Sequence, residues 1–542
     1  MKRILTLWVV ALVASTSLLA QRVTDRVDRG LVVVNSRSGG NFVSWRIFAE
    51  EYYDVTYNLY RDDKKIASNL SISNYNDTNG TTSSKYQVAA VVRGVEQEKC
   101  AVAKRWSALD TMQNPAYSYL RVAVPSALGR DGTNQSSHYS LNDMCLADVT
   151  GDGQVEFITK RVSDNAHDTT NKNTYHHIEV YDITGKRLWW IDLGPNMLSG
   201  ADEQFDAVAY DWDGDGKAEV LLRGADNMII HRADGSTKTV GSSTVDTRWN
   251  GIEFTSTGNE YLLYLNGETG VEYQIIDYPL PRGNDSDWGT GIVGHRSTKH
   301  YFGAPFLDGR HASIFLGRGC YTKHHFKAFD VNSATHQLVQ RWEWRGESWP
   351  WFGQGYHNYG IADVDWDGRD EIVFGSMVID DNGKGLHTTG LGHGDAQHCS
   401  DLDPYRHGQE LFACNEDSPA MNYRDATTGR IYYRLQSTGD DGRALCGNFT
   451  NSYPGSIGRS TQSGIISTVA DKVLNDANVD IAWNDLNFRI YWDSDLCEEV
   501  LNSPGTMRDG IIFGPGKGRV FQSGGCALNN SSKNNPCATG DI

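Results

Sequence analysis

The sequence predicts an all-β protein, in which a small amino-terminal β-sandwich of the fibronectin-III-like kind precedes a β-propeller. One observation is composition: the 542 residues include 56 Gly, 15 Trp and 26 Tyr but 13 Pro, which suits many short strands joined by glycine turns. Another is an acidic loop that recurs along the chain, and a third is a change in strand pattern after Pro125. With 39% hydrophobic residues, the chain can build a packed core, so a disordered chain is excluded.

The amino-terminal residues 1–20 are predicted to be a cleaved signal peptide. Lys2 and Arg3 precede an apolar run over 4–14, and small residues continue to Ala20, in the order typical of such a segment. The mature chain would then start near Gln21. We therefore expect an exported protein, periplasmic or extracellular, with no membrane span, because no later apolar stretch is long enough.

Residues 21–115 are predicted to form the sandwich. Apolar and polar residues alternate over 31–34, 42–45 and 55–60, and Gly, Asn and Asp break the pattern between these segments. This is the pattern of short strands with one face in a core.

Residues 116–542 are predicted to form the propeller, because one unit repeats there. Acidic loops at 148–156, 211–219 and 363–371 are each followed by an apolar strand and a hairpin turn, as in a repeat architecture. Counting further turns gives seven candidate units, whereas roughly 420 residues at about 50 per repeat give about eight blades. Eight blades are favoured and seven are possible; the alternative is a sandwich or barrel built from the same strands.

The acidic loops are predicted to hold structural Ca²⁺ ions. Oxygen-bearing side chains stand at loop positions one, three, five and nine, with Gly at six, and hard oxygen ligands at this density suit Ca²⁺. Position seven would contribute its backbone carbonyl, so a cationic side chain is tolerated there. The alternative is Asp/Gly turn chemistry without metal. The predicted ligands are Asp148, Thr150, Asp152, Gln154 and Glu156; Asp211, Asp213, Asp215, Lys217 and Glu219; and Asp363, Asp365, Asp367, Arg369 and Glu371.

Polar residues recur just before the acidic loops, where the entering strand is otherwise apolar. Equivalent positions of a repeat face the same way, so these residues indicate the mouth of a central pocket; a solvated strand end is the alternative. The predicted substrate-binding set is His138, Asn142, Asp143, His167, Arg318 and Asn358.

Histidines concentrate in two further segments. His295, Arg296 and His300 bring a cation and bases into one short stretch, close to Tyr321 and followed later by His357. His393, Asp395 and His398 offer nitrogen and oxygen ligands within six residues, which predicts one further metal site for Ca²⁺ or Zn²⁺. Hydrogen-bonded histidines at a turn are the alternative for the second segment.

Several motifs of this chain resemble those of the propeller polysaccharide lyases typified by the rhamnogalacturonan lyases. They are Arg-Val-Asp-Arg-Gly-Leu-Val at 26–32, Ile-Asp-Leu-Gly at 191–194, the acidic loops, Arg-Gly-Cys-Tyr-Thr at 318–322, Gly-Gln-Gly-Tyr-His-Asn at 353–358 and Gly-Leu-Gly-His-Gly-Asp at 390–395. The resemblance implies an eight-bladed propeller with bound calcium that acts on a rhamnose- and uronate-rich polysaccharide. Because residues 195–204 lack the expected basic and histidine-bearing segment, a related lyase acting on ulvan or rhamnosyl-glucuronate linkages stays an alternative.

A lyase of this kind would work by β-elimination, leaving a 4,5-unsaturated uronate. A cation must neutralise the uronate carboxylate while a base removes the C5 proton. Arg296 or Arg318 could be the neutraliser, His295, His300 or His357 the base, and Tyr321 the donor to the leaving oxygen.

The sequence also fits two other functions. A glycoside hydrolase would need two opposed carboxylates, which Asp143 and Asp206 could supply, and a calcium-loaded propeller could also be a non-catalytic glycan-binding module. The net charge of −18 leaves no broad basic surface, so nucleic acid is not an expected partner. Nothing in the pattern predicts an oligomeric state.

Overall fold

The structure is a computed structural model. It describes residues 29–48, 51, 55–111, 122–198, 207–450, 453–462, 464–469, 472–473, 488–492, 497–502, 511–514 and 518–522. The predicted signal peptide over 1–20 and Asp206 lie outside these residues. Within them, the regular elements are strands and three short 3₁₀ helices, at Ser107–Leu109, Ser136–His138 and Asp285–Trp288.

The amino-terminal part forms two antiparallel sheets, β1-β2-β5 and β4-β3-β6-β7, with β8 paired to β6. Val33 and Val43 of the first sheet share one buried cluster with Tyr57, Leu59 and Tyr86 of the second. The strands are β1 (Val32–Asn35), β2 (Asn41–Ser44), β3 (Thr56–Arg61), β4 (Lys64–Leu70), β5 (Asn74–Asp77), β6 (Lys85–Val92), β7 (Val95–Glu96) and β8 (Ala103–Lys104).

The remaining strands form seven antiparallel sheets within the described residues. Sheet I contains β9 (Tyr139–Ala147), β10 (Glu156–Ser163), β11 (His177–Tyr181), β12 (Arg187–Asp192), β15 (Met228–His231) and β16 (Thr237–Val240). Sheet II contains β13 (Ala207–Tyr210), β14 (Glu219–Ala225), β17 (Glu260–Leu265) and β18 (Glu272–Asp277). Sheet III contains β19 (His300–Gly303), β20 (Ile314–Arg318), β21 (His324–Asn332) and β22 (Gln337–Gly346).

Sheets IV to VII continue the same order along the chain. Sheet IV contains β23 (Gly360–Ala362), β24 (Glu371–Phe374), β25 (Met377–Ile379) and β26 (Gly385–Thr388), and sheet V contains β27 (Gly394–Ser400), β28 (Glu410–Asn415), β29 (Ala420–Asp425) and β30 (Ile431–Gln436). Sheet VI contains β31 (Ala444–Gly447), β32 (Ile457–Ser460), β33 (Ile466–Ser467) and β34 (Lys472–Val473), and sheet VII contains β35 (Phe488–Ile490), β36 (Glu499–Asn502), β37 (Ile511–Gly514) and β38 (Gly518–Gln522).

The core lies between successive sheets. One buried cluster joins Leu221 of sheet II to Ile314 and Leu316 of sheet III, and another joins Phe315 of sheet III to Ile372 of sheet IV. Each sheet is therefore covered on its faces by its neighbours in the chain, which leaves the loops at the two strand-end edges free to carry functional groups.

Strands β15 and β16 depart from this order. They are inserted between β14 and β17 of sheet II, yet β15 pairs with β12 and β16 pairs with β15, so both extend sheet I. Among the described residues, no helix is long and apolar enough to cross a membrane.

Candidate active site

The acidic loops and the predicted catalytic residues lie at opposite edges of the sheets. Each acidic loop joins the first strand of a sheet to the second, whereas Tyr321 follows the second strand of sheet III. His357 and His393 precede the first strands of sheets IV and V. In an antiparallel sheet the start of strand one and the end of strand two share an edge. Three successive sheets therefore bring Tyr321 and the two histidines to one edge, away from the acidic loops.

Tyr321 lies among side chains that are far apart in the sequence. Its hydroxyl lies 3.1 Å from Nε2 of His357, and its ring centroid is 4.5 Å from that of His393. The guanidinium carbon of Arg296 lies 4.1 Å from the Tyr321 ring centroid, within cation–π distance. The His295 ring centroid lies 6.2 Å from that of Tyr321. We call the following residues the tyrosine–histidine cluster: His295, Arg296, Tyr321, His357, His393 and Asp395.

The environment of Tyr321 keeps its hydroxyl protonated. Burial raises the pKa of Tyr321 above its usual value, and nearby Cys320 and Asp395 act in the same direction while Arg296 opposes them. A phenol with a raised pKa carries its proton at neutral pH and can donate it. This is the state that a proton donor to a leaving oxygen requires.

His357, His393 and Asp395 form a group that fits a cation. One ligand atom from each lies within 4.8 Å of the others. Nδ1 of His393 lies 2.6 Å from the carbonyl oxygen of Gly355, the arrangement that orients a metal-binding histidine. Within the described part of the chain, its Nε2 is buried without a hydrogen-bond partner, and the carboxylate of Glu416 lies 3.5 Å from it. Two imidazole nitrogens and one or two carboxylates suit Zn²⁺ or a harder divalent ion.

His398 is not part of this group, although the sequence placed it with His393 and Asp395. The described group of possible ligands contains His357, His393 and Asp395, and His398 makes a different contact. Nε2 of His398 lies 2.9 Å from the carbonyl oxygen of Ala444, and burial lowers its pKa to about 4. His357, from the preceding sheet, takes the place expected for His398; Glu416 was missed because its contact with His393 spans 23 residues.

Arg318 is buried inside the protein, away from Tyr321. Its side chain is 0% exposed and donates to Oε2 of Glu260 at 2.7 Å and to the carbonyl oxygen of Ser297 at 2.7 Å. Arg223 and Arg282 bind the same carboxylate. Full burial and the ion pair with Glu260 favour a structural role for Arg318, which leaves Arg296 as the candidate neutraliser that contacts Tyr321.

His300 is likewise enclosed. Its Nδ1 lies 2.9 Å from the hydroxyl of Tyr278, and its Nε2 is buried with no hydrogen-bond partner among the residues that the structure describes. Burial lowers the pKa of His300 well below its usual value, and the charge of Arg318 lowers it further. His300 is therefore neutral, as a base must be. Its ring, however, faces Tyr278 and the buried arginines.

The other predicted substrate-binding residues are distributed over two sheets. His138, Asn142, Asp143 and His167 belong to sheet I or its loops, where His138 lies 3.0 Å from Asp164 and His167 lies 3.0 Å from the carbonyl oxygen of Ile252. Asn142 is 2% exposed. Asn358 follows His357 and exchanges two hydrogen bonds of 3.0 Å with the backbone of Gln397, which ties sheet IV to sheet V.

The second and third acidic loops bring their carboxylates together as predicted for a metal site. Ligand atoms of Asp211, Asp213, Asp215 and Glu219 lie within 4.8 Å of one another, and so do those of Asp363, Asp365 and Glu371. A further group joins Asp367 and Glu371 to Asp381. Among the residues that the structure describes, Oδ1 of Asp363 and Oε1 of Glu371 in the third loop are buried without a hydrogen-bond partner, so both oxygen atoms are open to a cation.

At position seven of these loops, the cationic side chains form ion pairs. Nζ of Lys217 pairs with Glu268 at 2.6 Å, and Arg369 pairs with Asp381 at 3.1 Å. Lys217 is thus engaged outside the carboxylate group of its own loop, whereas Arg369 pairs with Asp381, which also lies near Asp367 and Glu371. The backbone carbonyl is the group that each residue can offer to an ion.

Each loop is closed by a hydrogen bond that spans seven residues. The backbone N–H of Val149 donates to Glu156, that of Trp212 to Glu219 and that of Val364 to Glu371, at 2.7–3.1 Å. Burial raises the pKa of Glu156 to about 7 and those of Glu219 and Glu371 to about 8, and the other loop carboxylates add to the shift. A bound cation would oppose that shift, because its positive charge stabilises the ionised carboxylates and compensates the negative charge of their neighbours.

Comparison with known proteins identifies the family. The model of the "Rhamnogalacturonan lyase family 11, C-terminal domain" matches residues 117–542, which is more than half of the chain. The chain belongs to this family of rhamnogalacturonan lyases. A second model, the "Rhamnogalacturonan I lyases beta-sheet domain", matches residues 22–106.

Two Bacillus subtilis (strain 168) proteins are similar over nearly the whole chain. Rhamnogalacturonan endolyase YesW is 37% identical over 533 residues, covering 96% of this chain and 82% of YesW. Rhamnogalacturonan exolyase YesX is 35% identical over 550 residues, covering 95% and 85%. The crystal structure of YesW matches with a TM-score of 0.78 at 35% identity, and that of a Bacillus licheniformis rhamnogalacturonan lyase PL11 with 0.77 at 32%; each match covers 95% of this chain and 86% of the other.

These findings confirm the family resemblance that the sequence motifs indicated. They also confirm the predicted function class, a rhamnogalacturonan-type polysaccharide lyase. The all-β fold with a small amino-terminal sheet domain is confirmed as well.

Proposed function

We propose that the tyrosine–histidine cluster cleaves rhamnogalacturonan by β-elimination at a uronate. The observation that carries this proposal is the stack of Arg296 on Tyr321, whose hydroxyl meets His357 beside a group that fits a cation. A C5 proton is weakly acidic while the neighbouring carboxylate is charged. Arg296 supplies a fixed positive charge that stabilises the enolate formed when that proton leaves.

In the proposed reaction, His295 takes the C5 proton and the released electron pair forms the C4–C5 double bond. The bond from C4 to the glycosidic oxygen breaks, and Tyr321 gives its proton to that oxygen. The products are a 4,5-unsaturated uronate and a free hydroxyl group, and no water is consumed. His295 is favoured over His357, which belongs to the cation-binding group, and over His300, whose ring is enclosed beside Tyr278.

His357, His393 and Asp395, with Glu416 beside them, would hold one divalent cation at this site. When bound, the ion would neutralise the substrate carboxylate together with Arg296. The orphaned Nε2 of His393 supports this assignment.

We further infer that the acidic loops bind structural Ca²⁺ and that sheets I–VII form the predicted propeller. Seven consecutive antiparallel sheets with a core between neighbours support a propeller, and eight blades stay the favoured number. The apolar segment before Ala20 supports export to the periplasm or the cell exterior.

Rhamnogalacturonan is favoured over ulvan and rhamnosyl-glucuronate glycans because the similar Bacillus proteins are rhamnogalacturonan lyases. A hydrolase would need Asp206 opposite Asp143, and Asp206 lies outside the described residues. The arrangement around Tyr321 supports elimination instead.

The test is ultraviolet absorbance of unsaturated uronate during incubation with each of the three polysaccharides, with calcium and with a chelator. We expect a rising signal on rhamnogalacturonan for the wild type. His295→Ala should lose at least about a hundredfold in rate with unchanged thermal unfolding. His311→Ala is the control, because His311 is exposed and pairs with Asp308. Release of reducing ends without absorbance would replace elimination by hydrolysis.

A further inference from the structure

Two aromatic side chains are exposed beside the tyrosine–histidine cluster. Trp349 is 74% exposed and Phe352 is 44% exposed, and both belong to the loop after β22. The neighbouring Trp351 differs, because it packs against Trp344 at 5.7 Å between ring centroids. The loop therefore packs Trp351 partly against the core and presents the other aromatic rings to solvent. We call Trp349 and Phe352 the aromatic platform.

The loop that carries the platform is held in place by hydrogen bonds. The backbone N–H groups of Trp351 and Phe352 both donate to the carbonyl oxygen of Ser348, at 2.9 and 3.0 Å. The side chain of Gln354, which is 3% exposed, donates to the carbonyl oxygen of Phe352 at 3.1 Å. The backbone that carries the exposed rings is thus ordered before a ligand binds, which lowers the entropic cost of binding.

The same bonds tie the platform to the segments of the cluster. The N–H of Gly353 donates to the carbonyl oxygen of Thr322 at 2.7 Å, one residue after Tyr321. Oε1 of Gln354 accepts from the N–H of Gly392 at 3.1 Å, one residue before His393. The ring of Trp349 lies over Gly390, because a Cβ atom placed on Gly390 would be 3.0 Å from Cη2 of Trp349. The platform is therefore continuous with the edge that carries Tyr321 and His393.

We propose that the aromatic platform is a sugar-binding subsite, which stacks on a rhamnose residue of the polysaccharide next to the uronate that reacts. This inference rests on the proposed function of the cluster. An indole face binds the C–H face of a sugar ring, and a 6-deoxy sugar adds an apolar methyl group and carries no charge. A uronate is the poorer occupant, because its carboxylate gains nothing from two aromatic rings and is better bound by Arg296 or a cation.

The test compares wild type, Trp349→Ala, Trp349→Phe and Tyr405→Ala on rhamnogalacturonan, by initial rates of unsaturated product. Trp349→Ala should raise KM about tenfold with kcat within about twofold, since a flanking stacking contact contributes to binding. Trp349→Phe should recover most of the loss. Tyr405, on a loop of sheet V, is also 74% exposed, so Tyr405→Ala controls for removal of an exposed ring and should match wild type.

Affinity electrophoresis in gels containing rhamnogalacturonan or polygalacturonate measures binding without turnover. Retardation in rhamnogalacturonan should fall for Trp349→Ala, with no change in polygalacturonate. An equal fall in both gels would overturn the assignment of rhamnose, and unchanged KM and retardation in both would overturn the subsite. If wild type makes no unsaturated product yet Trp349→Ala still loses retardation, the subsite stands and the lyase proposal fails.

Discussion

Arg296 and Arg318 are the same residue type, but their surroundings in the structure differ. Arg318 is enclosed with Glu260 and two other arginines, whereas Arg296 lies on the ring of Tyr321. The sequence could identify both as candidate neutralisers of a carboxylate. It could not choose between them, because the choice depends on Glu260, which is 58 residues away from Arg318.

Glu260 is the residue whose replacement should cost the most stability. Its carboxylate is the shared partner of Arg223, Arg282 and Arg318, whose side chains are 0%, 7% and 0% exposed. Glu260→Gln would leave three buried cations around a neutral amide. Removal of one partner from a buried ion pair costs about 3–5 kcal/mol, and we expect a loss of at least this order in urea unfolding.

Glu347→Gln is the matched control for that substitution. Glu347 is 52% exposed and pairs with Arg345 at 3.3 Å, so its removal should cost less than about 1 kcal/mol. Equal stability of the two variants would show that the arginine group does not depend on Glu260.

At the scale of elements, the acidic loop was predictable because its information is local. Carboxylates at fixed positions meet within nine residues, and Glu156, Glu219 and Glu371 each begin the second strand of a sheet. The pairing of β15 with β12 was not predictable from such a motif, since it joins strands separated by β13 and β14. The group of His357 with His393 was missed for the same reason, because the two histidines come from different sheets.

Because of Glu179 on strand β11 of sheet I, the free energy of unfolding should depend on pH in the acidic range. Burial alone would raise the pKa of Glu179, but the hydrogen bond from His177 and the charge of Arg161 hold it at about 2. A carboxylate with a lowered folded-state pKa stabilises the protein above its unfolded value of 4.5, and this contribution is lost as pH falls towards 2. The full shift corresponds to about 3 kcal/mol.

Urea unfolding at pH 7, 4 and 3 measures this contribution. The difference in the free energy of unfolding between wild type and Glu179→Gln should be largest at pH 7 and should decrease as the pH falls below 4.5. A gap that stays constant over this range would mean that Glu179 does not titrate with folding.

At the scale of the whole molecule, the sequence predicted the repeated sheets but not how functions are divided between their edges. The repeat showed that equivalent positions face the same way, and the acidic loops do share one edge of the sheets. Tyr321 follows the second strand of its sheet, whereas His357 and His393 precede the first strands of theirs by three residues and by one residue. Such non-equivalent positions carry no common signal in the sequence, so their meeting at the other edge is visible only in the folded chain.

This division predicts that metal removal has two separable effects. A metal site saturated at a hundred times its Kd contributes about 2.7 kcal/mol to stability. A chelator should therefore lower Tm through the acidic loops and lower the reaction rate through the tyrosine–histidine cluster.

Asp363→Asn keeps the shape of an acidic-loop ligand but removes its charge, and should lower Tm with kcat/KM unchanged below the transition. Asp395→Asn should do the reverse, with at least about a hundredfold loss of rate and a Tm close to wild type. Thermal unfolding and unsaturated-product rates of both variants, with calcium and with chelator, measure the two effects. If both variants lost stability and rate in the same proportion, the two edges would share one metal-dependent function, because a loop that only stabilises the fold cannot change the rate of molecules that remain folded.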